Sequence, residues 1–318
     1  MYTEYYGPIN RKDLKGLEAP SRKLQQGGIV AFPTETTYGL GTSILNEDAI
    51  KRLFEVKGRE ETRALPVLIA NLDQLRFVVS EYPEEAKALA EEFLPGPLTI
   101  VMKKHPNLSP LITGGKESVA VRFSSDPIAR RLVEMTGCPL ASPSANMTGK
   151  PSSIQASHVL EDFNGKVDGI VDGGVAKYGM ESTLISLEDP SRPTILRFGV
   201  AEQKEIERVL NRKVLIHPLA LTLNGSSFFG KLRSVVRLFS TWEEMKIYLK
   251  MSPGSRRLIL SKDVAQIEGK HFQLDGKNLY EGLRKADREG FAEVLVCCNP
   301  ELKKDIVLLN KLKQIART

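Results

Sequence analysis

The sequence predicts an α+β domain built on a mixed sheet, followed by a small parallel α/β domain that is Rossmann-like. In the N-terminal part, strand-like runs rich in β-branched residues are bounded by Gly or Pro, and helix-like segments are interspersed among them without strict alternation. Beyond residue 233, strand and helix signals alternate regularly. We therefore expect a first domain at 1–216, a linker at 217–232 and a second domain at 233–318.

Strands of the first domain are predicted where β-branched, apolar runs stop at Gly or Pro. These runs are 27–32, 97–102, 119–123, 169–174, 182–187 and 193–198. The clearest helix signal is at 46–58, where Asn46 precedes acidic residues and an apolar stripe at helical spacing that stops at Gly58. Further helices are predicted near 83–93, 126–136 and 201–210.

The second domain is predicted from three strand-like runs, "SVVRLF", "RRLILS" and "AEVLVCC". Helices are predicted at 241–250, at 278–290 and from Pro300 onward. In the second of these, Leu279, Leu283 and Ala286 fall on one face. The stretch at 217–231 contains Gly, Ser and Asn between the two patterns, which is typical of a linker.

Composition excludes several classes of protein. The chain has no apolar run of 18 residues and no apolar signal-peptide core, so we expect a cytoplasmic protein without membrane association. Its cysteines, Cys138, Cys297 and Cys298, lack CxxC spacing and its histidines are scattered, which argues against a structural zinc and a disulfide framework. A formal charge of +6 is compatible with nucleic acid or a small anion but is weak evidence for either.

Two loops carry hydroxyl groups that could form a site. "FPTETTYGLG" at 32–41 presents Thr34 and Thr36, which either bind a small polar ligand or only satisfy their own backbone. "LASPSANMTGKPSS" at 140–153 places Ser142, Ser144 and Asn146 at alternate positions, hence on one face of an extended chain. This second loop either lines a nucleotide pocket or is a solvated loop before a helix.

Cations follow the helix at 46–58, and another lies in a strand. Lys57, Arg59 and Arg63 either compensate the helix dipole or bind phosphates, for which arginine has a suitable planar geometry. Arg122 lies in the apolar run "VAVRF", where it either meets a carboxylate or phosphate or faces outward. Because neither a P-loop nor a nucleophile with an adjacent histidine is recognisable, covalent catalysis is not expected.

Seven segments together resemble the YrdC-type family of threonylcarbamoyl-AMP synthases, in particular its two-domain branch. They are "PTETTYGLG", "KGR", "PGPLTIVMKK", "VAVRF", "SPSAN", "GGVAKYGMESTLI" and "ILRFG". The resemblance implies a twisted mixed sheet around a positive cavity. It also implies a reaction that joins L-threonine, bicarbonate and ATP, accompanied by Mg²⁺, into threonylcarbamoyl-AMP and pyrophosphate.

Roles for individual residues follow from the resemblance by motif position, although it identifies no metal ligands. A catalytic set around phosphates and bicarbonate is implied for Lys57, Arg59, Ser144 and Asn146. L-Threonine is expected to be held by Thr34, Thr36, Arg122 and Ser182. ATP is expected to be surrounded by Arg59, Arg63, Ser118, Ser142, Ser144, Ser152 and Arg197. The product would pass to a tRNA threonylcarbamoyl-transfer complex, and contact with tRNA or other RNA is a further expectation.

The sequence departs from the pattern of the two-domain branch in three places, the smallest being Ser118, which stands where threonine is usual and keeps the hydroxyl. Glu60, Arg63 and Leu68 stand where proline, asparagine and histidine are common, and the linker lacks a Tyr- and His-containing segment that covers the active site in relatives. These differences support an alternative, a non-catalytic protein that binds RNA or nucleotides. A third interpretation, carbamoyl transfer as in hydrogenase-maturation enzymes, is disfavoured because cysteine-rich zinc modules are absent from the sequence.

Overall fold

The structure is a computed structural model that describes residues 2–221, 232–263 and 267–316. These residues form two compact units. Unit one holds the described residues up to Met147 together with Ser152–Ala220. Unit two holds Thr148–Pro151 together with the described residues from Leu221 onward. Most of the predicted linker, including Phe228 and Phe229, lies outside the described residues.

Unit one is built on a mixed sheet of short strands. They are β1 (Glu4–Tyr6), β2 (Val30–Phe32), β3 (Gly39–Ser43), β4 (Val67–Ile69), β5 (Leu98–Lys103), β6 (Ser118–Phe123), β7 (Leu140–Ala141), β8 (Gly169–Val171), β9 (Thr183–Ser186), β10 (Thr194–Arg197) and β11 (Leu215–Ile216). Among the described residues their order is β1-β8-β2-β3-β7-β4-β6-β5-β9-β10-β11. Since β6 pairs in parallel with β4 and antiparallel with β5, the predicted mixed sheet is confirmed.

Helices connect these strands. They are α1 (Glu18–Gln25), α2 (Glu47–Lys57), a 3-10 helix (Leu72–Phe77), α3 (Glu84–Phe93), α4 (Pro110–Thr113), α5 (Pro127–Thr136), α6 (Ala156–Phe163), α7 (Gln203–Leu210) and α8 (Pro218–Leu221). Both predicted ends of α2 are present: the Asn46 side chain accepts a hydrogen bond from the backbone N–H of Ala49, and Gly58 adopts the left-handed conformation.

Two apolar clusters cover the sheet on its opposite faces. The larger one includes Phe54 of α2, Leu89 of α3 and Phe163 of α6. The smaller one packs α1 and α5 over β2, β4 and β7. Val67 and Ile69 of β4 belong to the larger cluster and Leu68 to the smaller, because successive side chains of a strand point to opposite faces.

Five strands of unit one, β1, β3, β4, β7 and β11, were not predicted from the sequence, for physical reasons. β3 contains Gly39 and Gly41, and glycine is depleted in strands. Here the pairing requires it, because a Cβ on Gly41 would lie 2.6 Å from Cε1 of Phe32 in the neighbouring strand. The other four are short: β1 and β4 contain three residues each and β7 and β11 two each, too few to establish an alternation.

Unit two contains a parallel sheet in the order β12-β15-β13-β14. Its strands are β12 (Val235–Phe239), β13 (Arg257–Ser261), β14 (Lys270–Gln273) and β15 (Glu293–Cys297). Its helices are α9 (Trp242–Met251), α10 (Leu279–Arg288), α11 (Pro300–Lys304) and α12 (Ile306–Ile315). Trp242 and Met245 of α9 pack in an apolar cluster with Leu295 of β15. None of the helices in the described ranges is long and apolar enough to span a membrane.

Glu293, the first residue of β15, connects several elements of unit two. Its Oε1 accepts hydrogen bonds from Arg237 Nε at 2.8 Å and from the Tyr248 hydroxyl. Its Oε2 accepts from Arg257 Nε at 2.6 Å and from Ser255 Oγ at 2.9 Å. Burial alone would raise the pKa of Glu293, but these donors outweigh it and lower the pKa to about 2. The carboxylate therefore ties β12, β13 and α9 to β15.

We expect Glu293→Gln to lower the free energy of unfolding of unit two by roughly 1–3 kcal/mol at pH 7, because the two arginines lose their counter-charge. The folded pKa lies below the unfolded value of 4.5, so the stabilisation is complete above pH 4.5 and is lost as the pH falls towards about 2. The difference between variant and wild type should therefore shrink on acidification. Fluorescence of Trp242, the single tryptophan of the chain, reports unfolding of this unit in denaturant titrations.

The control is Glu301→Gln, which removes an exposed ion pair with Lys304 on α11. Exposed pairs of this kind contribute little, so its unfolding midpoint should stay close to that of the wild type. A Glu293→Gln effect that did not change between pH 7 and pH 3 would contradict the assigned role of the carboxylate.

Candidate active site

One face of the unit-one sheet carries small and polar side chains where β6, β5 and β9 lie side by side. Arg122 pairs with Leu68 of β4 and with Thr99 of β5, and paired residues share a face. Leu68 belongs to the smaller apolar cluster, whereas Arg122 and Thr99 belong to neither cluster. Ala120 and Leu184, on the same face, are half-buried. The apolar packing of this face therefore ends between β4 and β6.

Arg122 contacts the loop that follows β2. Its Nη2 donates to Thr36 Oγ1 at 2.6 Å, to Glu35 Oε1 at 2.8 Å and to Thr34 Oγ1 at 3.2 Å. Thr34 Oγ1 also accepts from the backbone N–H of Thr36 and Thr37, so the turn satisfies its own backbone and presents hydroxyls to the arginine as well. Within the described residues, Nε of Arg122 is buried without a hydrogen-bond partner. That N–H can donate to an anion.

Ser182 lies beside this group, directly before β9. Its Oγ is 2.7 Å from Thr99 Oγ1. Arg197 of β10 donates Nε and Nη2 to the Ser182 carbonyl, at 3.2 and 2.9 Å, and Nη2 also to the Ser182 hydroxyl at 3.1 Å. A residue expected to bind threonine and one expected to bind ATP are therefore in direct contact.

Lys57, the last residue of α2, is buried and directed at the 144–146 loop. Its Nζ donates to the carbonyl of Ser144 and, at 2.8 Å, to the carbonyl of Asn146. Burial is the main cause that lowers the pKa of Lys57 to about 7. Lys57 thus holds the backbone of the loop that carries two other predicted catalytic residues.

Four predicted cations, Lys57, Arg59, Arg63 and Arg197, influence one another electrostatically. Burial, Arg63 and Arg197 together lower the pKa of Arg59 to about 10. The charges of Arg59 and Arg63 also contribute to the lowered pKa of Lys57. Arg59 closes the turn at 59–64, because its Nη2 donates to the carbonyl of Ala64 at 2.7 Å. Mutual repulsion of this kind is relieved by an anion placed among the cations.

The other residues expected around ATP lie near the same face. Ser118 lies four residues before Arg122 on β6, so both point to one side of the sheet. Ser142 follows β7 and is half-buried. The hydroxyl of Ser152 donates to Glu181 Oε1 at 2.8 Å, and Glu181 directly precedes Ser182 in the chain.

Two buried acids in this region were not selected by sequence analysis as site residues, although they support residues that were. Glu35 contacts Arg122, and Glu181 contacts Ser152. For Glu35 a signal was present, because an arginine in an apolar strand predicts a carboxylate or phosphate partner. Sequence alone does not say which of the acids in the chain is that partner.

Two of the residues that depart from the family pattern, Leu68 and Arg63, lie in different surroundings, one apolar and one positively charged. Leu68 is buried beside Arg122 in the sheet, so an apolar side chain borders the arginine on its β4 side. Arg63 adds a positive charge to the cation group around Arg59. The altered linker lies mostly outside the described residues.

Comparison with known proteins identifies the family. A family model named Sua5_yciO_yrdC, with the description "Telomere recombination", matches residues 22–199, more than half of the chain. The chain belongs to this family. The resemblance to YrdC-type proteins deduced from the seven motifs is thus confirmed.

Relatives in this family carry a functional name. A protein named threonylcarbamoyl-AMP synthase from Pyrococcus abyssi is 48% identical over 195 residues, which cover 61% of this chain and 57% of the relative. A protein of the same name from Bacillus subtilis is 33% identical over 317 residues, covering 92% of this chain and 90% of the relative. A crystal structure of Pyrococcus abyssi Sua5 complexed with L-threonine is 32% identical, covers 99% of this chain and 98% of its own, and has a TM-score of 0.86.

Gly114 allows the 59–64 turn to approach the α4 loop, because a Cβ at this position would lie 2.4 Å from the Thr62 carbonyl oxygen. We expect Gly114→Ala to displace this turn and to lower the free energy of unfolding by roughly 1–3 kcal/mol. Hydrogen–deuterium exchange measures the local effect: the backbone N–H of Arg59, bonded to Phe54, and that of Leu65, bonded to Ile112, should exchange faster.

Gly115→Ala is the matched control. Gly115 also has a positive φ, but a Cβ there would meet nothing within 4 Å. Both variants carry the backbone strain, and only Gly114→Ala adds the clash. Equal exchange in peptides covering 59–65 of the two variants would show that the close approach does not position the turn.

Proposed function

We propose that this protein is a threonylcarbamoyl-AMP synthase that converts L-threonine, bicarbonate and ATP into threonylcarbamoyl-AMP and pyrophosphate. Family membership and the shared name of relatives aligned over most of the chain support this assignment. The observation that carries the proposal is the sheet face on which Arg122 retains an unpartnered N–H, flanked by a group of mutually repelling cations. On this face of the sheet, Arg122 would bind a carboxylate, and the cations around Arg59 would bind phosphates.

L-Threonine binds at Thr34, Thr36, Arg122 and Ser182 in this proposal. The substrate carboxylate accepts hydrogen bonds from the guanidinium of Arg122, whose Nε has no other acceptor among the described residues. The hydroxyls of Thr34 and Thr36 lie 3.2 and 2.6 Å from Nη2, close enough to orient the same ligand. The structure of a relative in complex with L-threonine supports this choice of ligand.

ATP is bound through the cation group and through hydroxyls. Arg59, Arg63 and Arg197 meet the phosphates, and arginine suits phosphate because its donors form a planar fork. Ser118, Ser142, Ser144 and Ser152 complete the proposed nucleotide set. Lys57 acts on the same loop as Ser144 and Asn146, since its ammonium holds the carbonyls of both residues.

The chemistry requires placement and charge stabilisation. The neutral amino nitrogen of threonine attacks the carbon of bicarbonate, and one bicarbonate oxygen leaves as water to give the carbamate. A carbamate oxygen then attacks the α-phosphorus of ATP, and the bond from that phosphorus to the bridging oxygen breaks to release pyrophosphate. Placing these reactants in line lowers the entropic part of the barrier, and fixed cations stabilise the charge that develops on the phosphate oxygens. Lys57, Arg59, Ser144 and Asn146 are the residues we propose for this role.

Mg²⁺ is proposed only as the counter-ion that ATP carries with it. Among the described residues, no group of three or more His, Cys, Asp or Glu side chains is arranged to hold a metal ion. We therefore assign no protein ligands to the ion and derive no step through it. We further propose that the product passes to a tRNA threonylcarbamoyl-transfer complex in the cytoplasm. Direct contact of this protein with tRNA is not needed for the reaction.

The reaction is tested by incubating the protein with ATP, MgCl₂, bicarbonate and L-threonine and measuring pyrophosphate release. We expect release that requires both threonine and bicarbonate, because the α-phosphate is attacked by the carbamate formed from them. Release that continued without either one would contradict the proposal. Strong, salt-sensitive RNA binding without pyrophosphate release would favour the non-catalytic alternative.

The two subsites are separated by substitution. Arg122→Ala should raise the KM for threonine by about 10- to 100-fold, the loss expected for a charged hydrogen bond, and leave the KM for ATP nearly unchanged. Arg59→Ala should raise the KM for ATP and leave the KM for threonine nearly unchanged. Ser144→Ala should lower kcat. If both arginine variants raised the two KM values equally, the division into a carboxylate place and a phosphate place would be wrong.

A further inference from the structure

Glu35 is a buried carboxylate that contacts a proposed substrate-binding residue. Its side chain is only 3% exposed. Oε1 accepts from Arg122 Nη2 at 2.8 Å, and Oε2 accepts from the hydroxyl of Ser124. Both oxygens are therefore engaged by donors of one neighbouring segment.

The two donors are arranged by the strand. Arg122 lies in β6, and Ser124 is the first residue after this strand. The two residues are two positions apart in extended chain, so their side chains point to the same side of the sheet. Ser124 is itself held in place, because its Oγ accepts from the backbone N–H of Asp126, whose side chain caps α5. On the other side, the carbonyl of Glu35 accepts from the backbone N–H of Tyr178 at 2.8 Å. Glu35 is thus fixed at backbone and side chain.

This arrangement restricts Arg122. An unrestrained arginine side chain samples many rotamers, and ordering it on binding costs conformational entropy. Glu35 and the two threonine hydroxyls all engage Nη2 and leave Nε without a partner among the described residues. The contacts therefore orient the guanidinium while leaving a donor for a ligand.

The ionisation state of Glu35 agrees with this geometry. Burial would raise the pKa of Glu35, but the charge of Arg122 and the hydroxyl of Ser124 outweigh burial and lower the pKa below its ordinary value. The carboxylate is therefore charged at neutral pH and can act as a fixed acceptor.

We propose that Glu35, supported by Ser124, is a positioning residue that orients Arg122 for the carboxylate of the amino-acid substrate. Glu35 acts through Arg122 and does not touch the substrate itself, because its side chain is buried and each of its oxygens already accepts a hydrogen bond from a neighbouring side chain. The inference rests on the proposed threonine site and adds two residues to it. Its consequence is that Glu35 governs recognition of the substrate's carboxylate and has little influence on ATP.

The test uses the full-length protein with Glu35→Ala, Glu35→Gln and Ser124→Ala. We expect Glu35→Ala to raise the KM for threonine about tenfold or more and to change the KM for ATP less than about twofold. Glu35→Gln keeps a carbonyl oxygen for Nη2 and should rescue part of this loss. Ser124→Ala should have a smaller effect in the same direction, and it carries the test together with Glu35→Gln if Glu35→Ala does not fold.

A second measurement separates positioning from general damage. Binding of L-threonine and of L-threoninamide, which lacks the carboxylate, is measured by calorimetry for each variant. The positioning role predicts that the preference for threonine over threoninamide falls about tenfold in Glu35→Ala. The control Glu293→Gln replaces a buried, hydrogen-bonded carboxylate of unit two and should leave this preference unchanged.

The outcomes distinguish this inference from the proposed function. A wild-type protein without threonine-dependent pyrophosphate release would overturn the proposed function. An active wild type whose threonine preference is the same in all Glu35 and Ser124 variants would overturn only the positioning role. A lower KM for threonine in Glu35→Gln would also overturn it, because Glu35 would then compete with the substrate for Arg122.

Discussion

The pairing register of β4, β6 and β5 is the constraint on which the candidate site depends. It places Leu68, Arg122 and Thr99 in one row across the sheet. A shift by one residue would turn Arg122 into the larger apolar cluster and Val121 out of it. The register is secured because Val121, Val67 and Ile100 are buried together on the opposite face. The hydrophobic core on one side of the sheet thus determines which polar groups appear on the other.

Charge is distributed over this face in two different ways. Arg122 has a fixed counter-charge, since Glu35 lies 2.8 Å from it. Arg59, by contrast, has its pKa lowered by burial and by neighbouring arginines, so its surroundings add positive charge instead of cancelling it. A single carboxylate is well matched to the first environment, and several phosphate charges are better matched to the second. The separation of substrates that we propose rests on this difference, because Arg122 has an acid beside it and Arg59 has neighbouring arginines.

Much of the fold was predictable because its longer elements obey local rules. The apolar stripe, cap and glycine of α2 identify it, and the bounds Glu47–Lys57 differ from the predicted 46–58 only by the capping residues. Short strands were not predictable in the same way. β3 contains glycines that local propensity disfavours, and they are required because the ring of Phe32 packs against Gly41. The reason for those glycines lies in a contact with another strand.

For the site, the sequence by itself determined the family and the candidate residues, because motif order and residue type are properties of the chain. Only the tertiary structure decided how these residues are connected. It assigned the carboxylate partner of Arg122 to Glu35, 87 positions away, and directed Lys57 to carbonyls 87 and 89 positions away. Such contacts depend on sheet register and burial, which bring together segments that have no local signal for each other.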